Sequence, residues 1–178
     1  MSNAEISVAD SEDEALHDPE RLQEIARLDL FSDDVQRILD KQAEKASDVL
    51  DLPIGLVSLV LDEAQYLAGQ HGTLPEWVEE AGGSPVEWSY CQYAVKDEED
   101  VIIEDSTVDE RTKESPFTKE EGLRCYAGIP LETSRGHVIG SFCAAGDEER
   151  SFDEEELEAM RELADETMEI IERHAETS

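Results

Sequence analysis

The chain has 178 residues, with 47 aspartates and glutamates against 14 lysines and arginines and a formal charge of −33. That length suits one domain able to bury a core without disulfides or metals, and the charge argues against binding nucleic acid or anionic lipid. No apolar run approaches the ~20 residues that cross a bilayer, and the acidic N-terminus is unlike a secretory signal, so a soluble cytoplasmic protein is expected.

Residues 1–17 lack periodicity and are rich in Ser, Asp and Glu, which reads as a disordered acidic arm. Asp18 before Pro19 signals a helix start, with Leu22, Ile25 and Ala26 on one face. Ser32 opens a second helix over about 33–51, carrying Val35, Ile38, Leu39, Ala43, Ala46 and Leu50 as an apolar stripe until Pro53 forbids continuation. Leu56 to Leu61 is a nearly unbroken apolar run, too short for a core helix, so a buried central strand is expected, with Tyr66 to Gln70 as its hairpin partner. Gly72, Pro75, Gly82, Gly83 and Pro85 make 72–86 a long irregular crossing, with one helical turn at Glu76 to Glu80. Val101 to Glu104 reads as a strand, and Thr107 to Glu114 as a short helix or turn. Arg124 to Leu131 and His137 to Ala145 form two strands joined at Ser134 to Gly136. Ser151 with Glu154 makes a capping box for a last helix over 152–174, leaving 175–178 as a tail. The order predicts an α+β fold: one antiparallel sheet with the terminal helices packed on one face and a loop-covered pocket on the other.

Cys91, Cys125 and Cys143 form no C-x-x-C motif, and an odd count of widely spaced thiols argues for a reducing compartment over a disulfide framework. The four histidines are equally scattered, so no metal site and no cofactor is expected. Only six of the acids fall in residues 1–18, which makes the acidity a property of the whole surface. Such repulsion destabilises a compact state in dilute buffer and is screened in concentrated salt, which points to a salt-adapted cytoplasm.

Five fragments occur in a telling order: Pro53 with the Val57–Val60 strand, the S-x-C of Ser89 to Cys91, the D-x-x-x-D-x-R of Asp105 to Arg111, the R-x-Y-A-G of Arg124 to Gly128, and the I-G-x-x-C of Ile139 to Cys143. Together they resemble the GAF domain family, in a subgroup found beside histidine kinases and other signalling modules. The resemblance spans Asp18 to Glu172 and implies a single domain over 18–174, with helices over 19–51 and the sheet and pocket over 54–146. Carried over by position, it implies a ligand pocket walled by Trp88, Tyr90, Cys91, Asp105, Arg124, Tyr126 and Cys143.

The residues themselves leave alternatives open. Tyr90 and Tyr93 suit core packing as well as a ligand shelf. Arg124, at the start of a buried strand, needs a partner, and Asp105 can supply a structural ion pair or the two can meet a polar ligand. Cys91 is a buried inert thiol or a redox sensor, the latter requiring thiolate character from a helix N-terminus or a cation such as Arg124. Strand alternation turns Cys125 away from Arg124 and Tyr126. Cys91 is followed by Gln92, not the histidine of bilin-binding relatives, and the cysteine spacing differs from that of free methionine sulfoxide reductases. The expected role is therefore a non-enzymatic sensor of a small ligand or redox change, acting on a separate signalling protein or through a homodimer joined by the terminal helices. A thiol-dependent reductase and a purely structural module with a self-filled pocket are the alternatives.

Overall fold

Capping and proline chemistry set the element boundaries in the computed structural model, which describes residues 15–177. Helix α1 (Pro19–Leu28) starts at Asp18, whose carboxylate accepts from the Glu20 amide, and α2 (Asp33–Leu50) starts at Ser32, whose hydroxyl accepts from Val35. Both helices stop on an aspartate in the left-handed region, Asp29 and Asp51. After Pro53 the chain runs through β1 (Ile54–Val60), β2 (Ala64–His71), α3 (Glu76–Ala81), β3 (Gly83–Pro85), a 3₁₀ turn (Val86–Trp88) and α4 (Gln92–Asp97). It continues through β4 (Val101–Ile103), α5 (Pro116–Lys119), β5 (Cys125–Glu132), β6 (Val138–Gly146) and α6 (Glu154–Thr177).

The six strands form one antiparallel sheet in the order β3-β2-β1-β6-β5-β4. β1 and β6 are central, and every residue of β6 is buried, so both sheet faces must be covered. One face presents Val57, Leu59, Ile129, Leu131 and Phe142 to Leu39, Ala46 and Leu50 of α2 and to Met160, Ala164 and Ile171 of α6. Each buried Val, Leu, Ile, Met or Phe side chain among these contributes about 1.5–3 kcal/mol of burial free energy. Gln42 joins the two helices, its Nε2 donating to Thr167 Oγ1 at 2.9 Å and to Glu166 Oε2 at 3.2 Å. α2 lies directly on β1 and β2, with Gly55 under the Ala43 carbonyl and Gly69 under that of Leu39. The opposite face presents Val60, Tyr126, Cys143 and Ala145 to Tyr90, Cys91, Ala94 and Val95. The α+β architecture follows, with terminal helices on one face and the crossing on the other.

Near the two ends of the chain, three boundaries differ from expectation. Residues 15–17 are helical, and Leu16 is buried, because the buried guanidinium of Arg21 holds the chain there: it donates to the carbonyls of Ala15 at 2.9 Å and Leu16 at 2.9 Å. The rest of the expected acidic arm lies outside the described residues. The capping box sits two residues later than Ser151 and Glu154, since the Glu156 amide donates to Asp153 Oδ1 at 2.8 Å and the Asp153 amide to Glu156 Oε1 at 3.1 Å. The last helix also runs past 174 into the expected tail. Among the described residues, no helix is long and apolar enough to cross a membrane.

Candidate functional site

On the sheet face away from the helices, the crossing and the segment around Cys91 roof a cavity of about 610 Å³. Leu56 of β1, Leu67 of β2, Leu74, Val78 of α3 and Phe117 of α5 give it apolar walls. Gln65, Ser89, Tyr90, Cys91 and Tyr126 add polar groups, and the exposed acids Glu121 and Asp147 border it. Among the described residues lining it there is no lysine, arginine or histidine. The volume lies within the ~300–1,000 Å³ usual for small-molecule sites.

A buried polar cluster lies against one wall. The Tyr126 hydroxyl donates to Cys91 Sγ at 3.2 Å and meets Ser141 Oγ at 2.8 Å, while Cys91 Sγ stands 3.9 Å from Cys143 Sγ. Gly128 permits this arrangement, because a Cβ there would sit 2.4 Å from the Tyr126 hydroxyl and 2.6 Å from Ser141 Oγ. Alongside, Ser58 Oγ donates to Gln65 Oε1 at 3.0 Å, and Gln65 Nε2 donates to Ser84 Oγ at 3.2 Å. The two thiols and the phenol share their protons unequally. The hydrogen bond with the Cys143 thiol first, then that with the Tyr126 hydroxyl and the nearby Ser58 and Ser141 hydroxyls, draws the Cys91 thiol below its ordinary value to about 7, against the opposing effect of burial. Burial first, then interaction with the Cys91 sulfur, pushes Cys143 well up; burial, followed by the charges of both cysteines, does the same to Tyr126. Of the three groups, Cys91 is the one whose pKa is drawn down and not pushed up.

The arrangement, a sheet with helices behind and a loop-roofed cavity in front, coincides with a sequence match to the profile described as GAF domain, over residues 32–172. The chain belongs to the GAF domain family. This GAF domain is 27% identical over 127 residues to a cyclic di-GMP phosphodiesterase of Pseudomonas aeruginosa, covering 71% of this chain and 21% of that protein. The chain thus spans about a fifth of that relative's length. Among solved structures, it resembles free methionine-R-sulfoxide reductase from Neisseria meningitidis in complex with its substrate, at 19% identity and a TM-score of 0.65, over 90% of this chain and 89% of that one. It also resembles the GAF domain of an Acinetobacter phosphoenolpyruvate-protein phosphotransferase, at 18% identity and a TM-score of 0.62, over 86% and 92%. Likeness at these identities concerns the fold.

Within the GAF domain, Tyr90, Cys91 and Tyr126 border the cavity, and Cys143 lies fully buried behind Cys91. Tyr90 also packs edge-on to Tyr126 at 5.5 Å and gives its hydroxyl proton to Thr118, which in turn donates to the Thr112 carbonyl at 2.7 Å. Trp88 stands outside the wall, half-buried and edge-on to Trp77 at 5.5 Å, while Trp77 stacks on the lining residue Phe117 at 5.7 Å. Asp105 and Arg124 also stand outside it, and the pair expected between them is replaced by local bonds. Arg124 Nη1 donates to the carbonyls of Thr118 at 3.0 Å and Leu123 at 2.9 Å, and Asp105 Oδ1 accepts from the Thr107 hydroxyl at 2.6 Å and amide at 3.0 Å. Those Thr107 bonds come first in lowering the Asp105 pKa, with the charge of Arg124 a lesser cause. The other half of that motif is structural too: Arg111 grips Asp109 through two parallel bonds of 3.0 and 2.8 Å. The leading groups that favour the Cys91 thiolate are neighbouring thiol and hydroxyl groups, in place of the expected Arg124.

Ser58, Gln65 and Ser141 were not singled out from the sequence. The available signal was a serine interrupting each of two apolar central strands, Ser58 and Ser141, which the register places directly opposite each other.

Proposed function

We propose that this GAF domain is a non-enzymatic sensing module. It binds a small, largely apolar ligand without net negative charge in the cavity, and it signals through the helical layer on the other sheet face. The observation that carries this reading is the lining: apolar walls, a few hydrogen-bonding groups, two bordering carboxylates and, among the described lining residues, no cation. A phosphate or carboxylate would enter without a charge partner and lose its hydration. Native mass spectrometry of protein purified in high salt is expected to show a retained neutral or cationic small molecule. A bare polypeptide mass, with a melting midpoint unmoved by small amines and neutral aromatic compounds, would overturn the reading. Turnover of free methionine sulfoxide with dithiothreitol would replace sensing by catalysis.

The output side of this proposal is the layer formed by α2 and α6, where Ile38 and Val49 of α2 are exposed, 42% and 36% respectively. These helices would meet a second copy of the chain or a separate signalling protein. The setting is a reducing, salt-rich cytoplasm. Three buried free thiols suit the first property, and the scarcity of cations suits the second. Arg161 alone serves Asp100 at 2.8 Å, Glu154 at 2.8 Å and Glu158 at 3.2 Å. The melting midpoint is expected to climb from dilute buffer to multimolar KCl, because the Debye length falls to ~3 Å at 1 M and screens the repulsion among unpaired acids. A flat or falling midpoint would remove salt adaptation from the proposal.

A further inference from the structure

Two thiols 52 positions apart in the chain finish with their sulfurs 3.9 Å apart, and their surroundings differ in a useful way. Both are buried, but Cys91, 2% exposed, lines the cavity, whereas Cys143, 0% exposed, does not. A disulfide is ~2.05 Å long, so bonding requires about 2 Å of sulfur movement. Cys125 is separate: it is buried, and strand alternation puts it on the sheet face opposite Tyr126, where a Cβ on Gly146 would stand 3.4 Å from its sulfur and 3.0 Å from Leu52. The Tyr126 hydroxyl points its proton at the Cys91 sulfur, an arrangement that favours a sulfur carrying negative charge.

We propose that Cys91 is an oxidation site for small hydroperoxides reaching it through the cavity, and that Cys143 resolves the product into an intramolecular disulfide. In the first step the Cys91 thiolate attacks the terminal peroxide oxygen. A sulfur–oxygen bond forms and the oxygen–oxygen bond breaks. The alkoxide leaves and takes up the proton that Cys91 released, becoming an alcohol and leaving Cys91 as a sulfenic acid. In the second step Cys143 gives up its proton and its sulfur attacks Cys91. The sulfur–sulfur bond forms, the sulfur–oxygen bond breaks, and hydroxide departs with that proton as water. Two thiols lose two electrons in all, and one hydroperoxide becomes one alcohol and one water. The inference uses the cavity as a route to the sulfur and does not require a resident ligand, so it can fail or stand apart from the sensing proposal.

The test uses the intact chain, reduced, folded in high-salt buffer and treated with an equimolar amount of tert-butyl hydroperoxide, then denatured, alkylated and mapped by mass spectrometry. Two of the three thiols are expected to disappear together, with a mass loss of two hydrogens and a linked peptide joining Cys91 to Cys143, all reversed by dithiothreitol. Cys143→Ala is expected to stop at a Cys91 sulfenic acid that dimedone traps, and Cys91→Ser to leave the remaining thiols intact. Oxidation confined to Cys125, disulfides only between chains, or no thiol loss unless the chain is first unfolded would overturn the proposal. The wild-type map decides the matter even if a variant fails to fold.

Discussion

Gly55→Ala is expected to lower the melting midpoint of this 178-residue chain by about 6–12 °C in fixed KCl, corresponding to roughly 3 kcal/mol. The cause is the direct seating of α2 on the sheet. A Cβ at position 55 would lie 1.9 Å from the Ala43 carbonyl oxygen, 2.9 Å from the Ala43 carbonyl carbon and 3.1 Å from the Ser47 amide nitrogen. All three atoms are backbone, so no side chain can swing aside. Relief requires α2 to lift from β1, which loosens Leu39, Ala46 and Leu50 in the core they share with α6. Val108→Ala is the control: Val108 is 72% exposed, and its truncation is expected to change stability by less than about 0.5 kcal/mol. If the two variants melt together, the close contact between α2 and β1 has no energetic weight.

Arg21→Met is expected to cost about 2–4 kcal/mol, because burying a methionine there leaves carbonyls that a guanidinium had satisfied. Arg21 is only 3% exposed, and desolvation draws its pKa down to about 10, with Asp18 and Asp62 opposing that shift. It remains charged at neutral pH. Its Nη1 donates to the Val60 carbonyl at 2.6 Å and the Val138 carbonyl at 3.4 Å, at the end of β1 and the start of β6. Its other nitrogens hold Ala15 and Leu16, so one side chain fastens the segment before α1 to the centre of the sheet. Hydrogen exchange gives a readout that a general loss of stability would not: amides of 15–18 should lose protection first, under conditions where β6 remains protected. Arg21→Lys should recover only part of the loss, since an ammonium cannot reproduce the planar fork. Unchanged protection at 15–18 would show that other contacts hold the segment.

The sheet and its helical layer were legible because hydrophobic period and punctuation agreed. Val35, Leu39, Ala43, Ala46 and Leu50 recur at helical spacing and are all fully buried, and Pro53 breaks the chain where β1 begins. The last capping box was harder to place, since Ser151 and Asp153 each have a glutamate three residues on. Tertiary contacts favour the later one: Arg150 stacks over Phe152 at 4.9 Å and binds Glu156, which draws that glutamate into the cap. The candidate site was only partly readable for a related reason. Position along a strand fixes the face of Tyr126 and Cys143, but it does not fix rotamers, and Arg124 spends its donors on nearby carbonyls instead of Asp105. The proximity of Cys143 to Cys91 depends on how α4 lies across β6, a packing detail that no local pattern encodes. Trp88 falls outside the wall because the 3₁₀ turn directs it to Trp77.

The sheet ends on both sides in strands of three residues, β3 and β4. Such short margins offer a passing polypeptide few free amides and carbonyls, and β3 closes with Pro85, which has no amide hydrogen to give. In concentrated salt, where charge no longer keeps molecules apart, this geometry becomes a safeguard against fibril growth by strand addition.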